Sequence, residues 1–380
     1  MTIVAHLLAL SPIRSLKAHR ADRSPIHENT LAERAMAGFL NASPSGAQVT
    51  MTCLSRITLP IMLALVLIFP RLCQAETSRI GCQHIITQQG LELGIWYPST
   101  GVATHQDLGP YAQDCVANGP VVHSHGGLVV ISHGTGGSWT SHLDTAAALA
   151  QAGYIVVSLT EPGDNWRDMS HATDITGRTR ALSAALDYML DTWPQADRID
   201  RHRIGAFGFS AGGLTVLLAA GAQPDLSRIG PWCTQHPKSF TCALIAKAHA
   251  SIPSGSAPVK DSRIAALSLA APALGFTMTR SALQDVTLPV QIWQAGDDRI
   301  LPSPGSVEPV RDNLPTPPQG FMVAHADHFD FLAPCRPEAS MAAICTSHNG
   351  FDRTAFHTGF NTALVAFFDR TLSRQGASGR

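Results

Sequence analysis

The chain has 380 residues, of which 45% are hydrophobic, 14% charged and 6% aromatic, and its formal net charge is −1. This length can bury one large hydrophobic core or two ordinary ones. The 31 Gly and 25 Pro at this hydrophobic content exclude collagen, coiled coils and wholesale disorder. The near-neutral charge without a long basic run argues against nucleic acid as a partner.

Residues 51–75 are typical of a signal peptide. Arg56 follows the methionine at 51, an apolar run covers 59–69, and Ala75 ends the segment. This run is shorter than the roughly 20 residues that span a bilayer, and its flanks predict export with cleavage after Ala75. A buried core helix and an uncleaved membrane anchor are the alternatives. Residues 1–50 are then a mis-assigned start or a long, weakly ordered leader.

Removal of residues 1–75 changes the charge and the cysteine count. It leaves 20 basic and 25 acidic residues, a net charge of −5, and six cysteines. An even number of cysteines in an oxidising compartment suggests disulfides, although six allow about 15 connectivities. The spacing hints at three local loops: Cys82–Cys115, Cys233–Cys242 and Cys335–Cys345. A zinc site is a weak alternative because no CxxC pair exists.

Residues 76–380 form one predicted domain in which strands and helices alternate. Strands are predicted at 91–97, 127–132, 154–159, 203–209, 264–271, 290–293 and 321–324, and helices at 141–152, 174–190, 211–220 and 354–370. This alternation predicts an α/β fold with a mainly parallel central sheet flanked by helices. Residues 222–263, rich in Pro, Ser and Gly, interrupt it and are predicted to form a small cap insertion.

Ser210 is the candidate nucleophile because it stands in a G-x-S-x-G sequence, residues 208–212. A predicted buried strand precedes this sequence and a helix of small residues follows it. That is the strand–turn–helix context of a nucleophile elbow. The two glycines suit a strained turn in which neighbouring backbone passes close to the serine. An ordinary Gly-Ser turn before a helix is the alternative.

A base and an orienting carboxylate are predicted after the last two strands. His328 is the preferred base, and it is preferred over its rival His325 because His325 lies closer to the strand end. Asp298 is the preferred carboxylate, since an apolar pair and a proline follow it, and Asp297 is the alternative. The order serine, aspartate, histidine is that of α/β-hydrolases.

Two backbone amides are candidate oxyanion donors. Residues 132–137, sequence SHGTGG, follow a predicted buried strand and supply the N–H of Thr135. The N–H of Ala211, directly after the nucleophile, supplies the second donor. Phosphate binding is excluded because the loop has neither the Walker lysine nor GxGxxG spacing. His123 and His125 form an HxH pair without a third ligand in range, so they are predicted to be loop residues.

Several segments together resemble the predicted dienelactone-hydrolase-like branch of α/β-hydrolases, which is related to platelet-activating factor acetylhydrolase. They are SHGTGGS at 132–138, EPGDN at 161–165, RALSAALDYML at 180–190, GFSAGG at 208–213, AGDDRILP at 295–302, HADHFDFLAPC at 325–335 and FDRTAFH at 351–357. The resemblance covers about residues 85–370. It implies a catalytic triad of Ser210, Asp298 and His328, and a pairing of Cys335 with Cys345.

Position 210 is serine where true dienelactone hydrolases use cysteine, so the family name does not identify the substrate. The resemblance implies ester hydrolysis through an acyl-enzyme and leaves the ester open. We expect a periplasmic or secreted carboxylic-ester hydrolase that needs no cofactor or metal and acts on a small-molecule or lipid-like ester. Trp139, Trp166 and Trp232 are on loops that could face the pocket. An acyltransferase or peptidase with the same triad, a non-catalytic hydrolase-fold binding protein, and a zinc hydrolase are the alternatives.

Overall fold

The computed structural model describes residues 79–248 and 258–373, and all structural statements below concern these residues. The predicted leader (1–50) and signal peptide (51–75) lie outside the described residues, as do positions 249–257 of the predicted cap insertion. No helix among the described residues is long and apolar enough to cross a membrane.

Ten strands in this part of the chain form one sheet. In chain order they are β1 (Arg79–Ile86), β2 (Glu92–Ser99), β3 (Thr104–Leu108), β4 (Tyr111–Ala117), β5 (Leu128–Ser132), β6 (Ile155–Thr160), β7 (Ile204–Phe209), β8 (Ile264–Ala270), β9 (Val290–Ala295) and β10 (Gln319–Val323). Their spatial order is β10-β9-β8-β7-β5-β6-β2-β1-β4-β3. The six strands from β10 to β6 are all parallel, whereas β2 runs antiparallel to both of its neighbours.

Within residues 79–248 and 258–373, nine α-helices connect or cover these strands. They are α1 (Leu143–Gln151), α2 (Ile175–Asp187), α3 (Ala211–Ala219), α4 (Ile229–Gln235), α5 (Phe240–Lys247), α6 (Arg280–Leu283), α7 (Val307–Asn313), α8 (Ala342–Cys345) and α9 (Arg353–Thr371). A π-helical turn, Tyr188–Thr192, extends α2. Short 3₁₀ segments occur at Ala196–Arg198, Leu226–Arg228, Gly275–Thr277 and His328–Phe331.

The core lies on both faces of the parallel strands, as their continuous apolar sequences predict. Every residue of β5, β6 and β7 is buried. Side chains of α1 and α9 pack with Val129 and Ile131 on one face, and those of α2, α3 and α7 pack with Leu128 and Val130 on the other. The predicted α/β class, with a mainly parallel sheet flanked by helices, is therefore confirmed.

The sequence reading missed three N-terminal strands, β1, β3 and β4. The strand β3, sequence THQDL, is polar and largely exposed, and β4 contains Gln113 and Asp114. The strands β3 and β4 lie at the end of the sheet, away from the main core. Their sequences therefore lack the continuous apolar run that is typical of a buried strand. Residues 222–248, part of the predicted cap insertion, contain two helices, α4 and α5.

Three disulfides join the cysteine pairs that the spacing suggested. They are Cys82–Cys115, Cys233–Cys242 and Cys335–Cys345, with Cα–Cα distances of 5.9, 5.5 and 5.6 Å. The first ties β1 to β4, and the second ties α4 to α5. Disulfides persist in oxidising compartments, so the three pairs fit an exported protein.

Candidate active site

Ser210 stands between the carboxyl end of β7 and the first residue of α3. Its backbone has φ of +55°, a conformation in which a non-glycine residue is strained. Neighbouring backbone holds it there. The Ser210 N–H donates to the Ala270 carbonyl (2.9 Å), and the Ser210 carbonyl accepts from the Ala273 N–H (2.9 Å). The side chain is thereby fixed above the sheet edge, as a nucleophile elbow requires.

The two glycines beside Ser210 are required by close backbone contacts. A Cβ atom added to Gly208 would lie 2.2 Å from the Gly212 carbonyl oxygen. A Cβ atom added to Gly212 would lie 1.9 Å from the Ser132 carbonyl oxygen at the end of β5. Real Cβ atoms do not approach oxygen so closely, so only glycine lets β5, β7 and α3 meet at this point.

His328 lies beyond β10 and contacts both Ser210 and Asp298. Its Nε2 is 3.0 Å from Ser210 Oγ, and its Nδ1 is 2.8 Å from Asp298 Oδ2. Because a carboxylate only accepts hydrogen bonds, Nδ1 carries the proton and Nε2 is free to accept from the serine hydroxyl. His328 is 1% exposed, and its ring packs against the Phe209 ring at a centroid distance of 4.7 Å.

Asp298 is held by the turn that follows β9. Its Oδ1 accepts hydrogen bonds from the Ile300 N–H (2.9 Å) and the Leu301 N–H (2.7 Å). This leaves Oδ2 directed at His328. The apolar pair after Asp298, which favoured it over Asp297 in the sequence, thus supplies the amides that orient its carboxylate.

The rival residues Asp297 and His325 lie at the surface, away from Ser210. The Asp297 carboxylate accepts from Asn349 Nδ2 (3.1 Å) and lies 3.6 Å from His325 Nδ1. The side chains of Asp297 and His325 are 45% and 74% exposed. Of the candidates, His328 contacts Ser210 and Asp298 contacts His328, so the structure brings the two preferred residues together at Ser210.

The predicted oxyanion donors Thr135 and Ala211 line one cavity together with Ser210. The loop after β5 approaches the serine closely, since a Cβ added to Gly134 would lie 3.2 Å from Ser210 Cβ. Ala211 is the first residue of α3, where a helix leaves its N–H groups without acceptors in the helix. A negatively charged oxygen at this position would also be stabilised by the dipole of α3.

Arg178, a buried residue of α2, forms hydrogen bonds that hold the loop carrying Thr135 in place. Arg178 Nη1 donates to Asp164 Oδ2 (2.6 Å), and its Nη2 donates to the His133 carbonyl. Asp164 Oδ1 in turn accepts from the Gly136 N–H (3.0 Å). The loop is therefore held on both sides of Thr135 by one buried ion pair.

The sequence reading assigned no role to this ion pair. Asp164 follows β6, and Arg178 stands four residues before Leu182 on the buried face of α2. A charged residue on the apolar face of an amphipathic helix is the signal that could have identified it, because buried charges are almost always paired.

Glu161 and His133 complete the buried network behind the loop. Glu161 Oε1 accepts from Ser132 Oγ (2.6 Å) and lies 3.4 Å from Arg178 Nη2. Burial raises the pKa of Glu161, against the opposing charge of Arg178. His133 Nε2 accepts from the Glu161 N–H (3.0 Å), and burial with the nearby Arg178 charge holds the His133 pKa well below its ordinary value. His133 is thus a neutral structural residue.

The short helix that begins at His328 is capped by Asp327. Asp327 Oδ1 accepts from the His328 N–H (2.8 Å) and the Arg299 N–H (3.0 Å), and Arg299 Nε donates to Oδ2 (2.7 Å). Burial alone would raise the Asp327 pKa, but the bonds from Arg299 and His328 lower it overall. An ionised Asp327 therefore fixes the backbone at His328.

The tryptophans and the HxH pair lie apart from the cavity beside Ser210. None of Trp139, Trp166 and Trp232 is among the described residues that line it. Trp139 is buried and stacks on the half-exposed ring of His84 (4.7 Å), whereas Trp166 is 61% exposed. In the HxH pair, His125 Nδ1 accepts from the Gly127 N–H (3.2 Å). No cluster of three or more His, Cys, Asp or Glu residues suited to a metal ion occurs in residues 79–248 and 258–373.

Comparison with known proteins adds no assignment. No protein-family model and no curated protein matches this chain.

Proposed function

We propose that the chain is a serine hydrolase of the α/β-hydrolase fold that cleaves carboxylic esters through an acyl-enzyme. The observation that carries the proposal is the continuous contact from Ser210 Oγ to His328 Nε2 (3.0 Å) and from His328 Nδ1 to Asp298 Oδ2 (2.8 Å). A serine hydroxyl is a weak nucleophile until an adjacent base accepts its proton, and here the base is itself oriented by a carboxylate.

In the acylation step, Ser210 Oγ attacks the ester carbonyl carbon while its proton passes to His328 Nε2. The carbonyl oxygen gains the negative charge and accepts hydrogen bonds from the Thr135 and Ala211 N–H groups. The tetrahedral intermediate collapses when the bond to the alkoxy oxygen breaks, and this oxygen takes the proton from His328. Asp298 stabilises the imidazolium throughout and keeps Nδ1 protonated.

In the deacylation step, water repeats the attack on the Ser210 ester. His328 Nε2 accepts a proton from the water, the acid leaves, and the same proton returns to Ser210 Oγ. Each oxyanion donor contributes on the order of 10²–10³ in rate, because it is directed at the charge before the charge develops.

Two further observations support the proposal, one on the reaction class and one on the location of the protein. The resemblance to dienelactone-hydrolase-like and platelet-activating factor acetylhydrolase-like enzymes supports the reaction class, since its segments contain Ser210, Asp298 and His328. The three disulfides support a periplasmic or secreted location.

The proposal is tested by hydrolysis of p-nitrophenyl esters by the wild type and by Ser210→Ala. We expect turnover that Ser210→Ala reduces by at least 10³-fold, because removal of a nucleophile leaves only binding and oxyanion stabilisation. Equal turnover in the two proteins would contradict the proposal. Added alcohols that compete with water would reveal an acyltransferase, peptide substrates a peptidase, and loss of activity on chelation a metal-dependent reaction.

A further inference from the structure

The cavity beside Ser210 is almost entirely apolar. Its empty space, counted out to the open mouth and including the solvent there, is about 810 Å³. Leu214, Leu274 and Leu301 line it from the body of the protein. Residues of the predicted cap insertion line the opposite side: Leu226, Ile229, Phe240, Thr241, Leu244 and Ile245.

The described residues that line the cavity offer no free charge to a guest molecule. Among them Arg178 is the charged one, and its guanidinium donates to the Asp164 carboxylate and the His133 carbonyl. The other polar lining side chains outside the reaction centre are the hydroxyls of Thr173 and Thr241. A charged or strongly polar group would lose its hydration there without compensation, so the cavity suits a hydrocarbon group.

The position of the reacting residues decides which half of an ester enters the cavity. Ser210 and both predicted oxyanion donors, Thr135 and Ala211, line the cavity, whereas His328 does not. The leaving oxygen must reach His328 Nε2 to receive its proton, so the alcohol departs on the histidine side. The acyl chain, attached to the same carbonyl carbon, then points into the cavity.

The cap side of the cavity is built by α4 and α5, which we name the cap helices. The Cys233–Cys242 disulfide joins them. Trp232 of α4 stacks on Phe276 of the body, with a centroid distance of 4.3 Å and an interplanar angle of 2°. The cap helices are therefore fixed both to each other and to the domain below, and they present a defined wall to the substrate.

We propose that the substrates are esters of an apolar acyl chain and that this chain is bound between Leu214 and the cap helices, in contact with Leu244. The inference rests on the proposed ester hydrolysis by Ser210. It adds the class of acid released and the element that selects it.

The test compares two ester series with the full-length protein. In the first, p-nitrophenol is the constant alcohol and the acyl group lengthens from acetate to octanoate. We expect wild-type kcat/KM to rise about fourfold for each added methylene until the cavity is filled. In the second, the acyl group is always acetate and the alcohol lengthens from methyl to octyl, and we expect no comparable rise.

The matched variants are Leu244→Trp, which places an indole inside the cavity, and Ala246→Trp, which places one on the exposed side of the same helix. Leu244→Trp should lower the ratio of octanoate to acetate kcat/KM by about 60-fold, the equivalent of three buried methylenes. Ala246→Trp should leave this ratio unchanged. If Leu244→Trp does not fold, Leu244→Ala is the second variant and should move the optimum to longer acyl chains.

The outcomes separate this inference from the proposed function. Ester hydrolysis with an acyl-length profile that Leu244 substitutions do not change would overturn the inference and leave the reaction intact. A response confined to the alcohol series would show that the cavity takes the alcohol, which also overturns it. Absence of any Ser210-dependent hydrolysis would overturn the proposed function itself and the inference with it.

Discussion

Individual residues at the candidate site are constrained more by backbone contacts than by side-chain chemistry. Ser210 keeps a strained φ because its N–H bonds to the last residue of β8 and its carbonyl to the segment after it, and Gly208 and Gly212 leave room for this arrangement. The G-x-S-x-G motif predicts the strained turn and its glycines, although the contacts that require them come from β5 and β8, which are distant in the sequence.

Gly212→Ala tests the close approach of β5 and α3. The new Cβ would lie 1.9 Å from the Ser132 carbonyl oxygen, so backbone must move at the site. We expect a loss of about 1–3 kcal/mol in the free energy of unfolding and a fall in kcat/KM of at least 100-fold. Urea unfolding and ester assays measure both.

Gly359→Ala, where an added Cβ meets nothing within 4 Å, is the control and should stabilise α9 by about 0.5–1 kcal/mol. Full activity in Gly212→Ala would refute the argument.

Arg178→Lys tests the fastening of the loop that carries Thr135. Lysine keeps the charge but cannot bridge the Asp164 carboxylate and the His133 carbonyl with one planar group. As a positioning residue for an oxyanion donor, Arg178 should affect kcat by about 10–100-fold and KM much less. Arg180→Lys, on the exposed face of the same helix, should change neither. A rise in KM with kcat intact would show that Arg178 serves binding instead.

At the scale of elements, the strands that the sequence predicts are the buried ones. The strands β5, β6 and β7 are buried on both faces, so their apolar sequences sufficed to predict them. The edge strands β3 and β4 depend on pairing with each other, with Thr104 opposite Cys115, which a local pattern does not reveal. The position of Arg178 on the apolar face of α2 indicates a buried charge, but its partners could not be predicted, because they lie in the loops after β5 and β6, distant in the sequence.

The capped turn at His328 predicts a dependence of stability on pH. The Asp327 pKa is lowered in the folded protein, so this carboxylate stabilises the fold above its unfolded pKa of about 3.9, and the contribution is lost as the pH falls through the lowered value. Asp327→Asn should therefore lower the free energy of unfolding by about 1–2 kcal/mol at neutral pH.

Melting temperatures of the wild type and Asp327→Asn, measured from pH 7 to pH 2.5, should converge in acid. Asp312→Asn removes an exposed partner of Arg311 and should follow the wild type at every pH. A difference between wild type and Asp327→Asn that is independent of pH would show that the carboxylate charge does not stabilise this turn.

At the scale of the whole molecule, the disulfides close loops of unequal length. The Cys82–Cys115 pair spans 33 residues and ties the edge strands to the sheet, whereas Cys335–Cys345 spans 10. In the chain-entropy account, replacing Cys82 and Cys115 by serine should cost about 3–4 kcal/mol, about 1 kcal/mol more than the same change at 335 and 345. Denaturant unfolding of the two double variants measures these losses in the free energy of unfolding. A larger loss for the change at 335 and 345 would contradict this prediction.

The central claim, an activated serine at position 210, is tested most directly by a fluorophosphonate, which reacts with serines that a neighbouring base activates. Intact mass and peptide mapping should show one adduct per chain, on Ser210, in the wild type. The adduct should be absent in Ser210→Ala and strongly reduced in His328→Ala, because the base lies 3.0 Å from Ser210 Oγ. An unlabelled wild type, or labelling that persists in Ser210→Ala, would contradict the account.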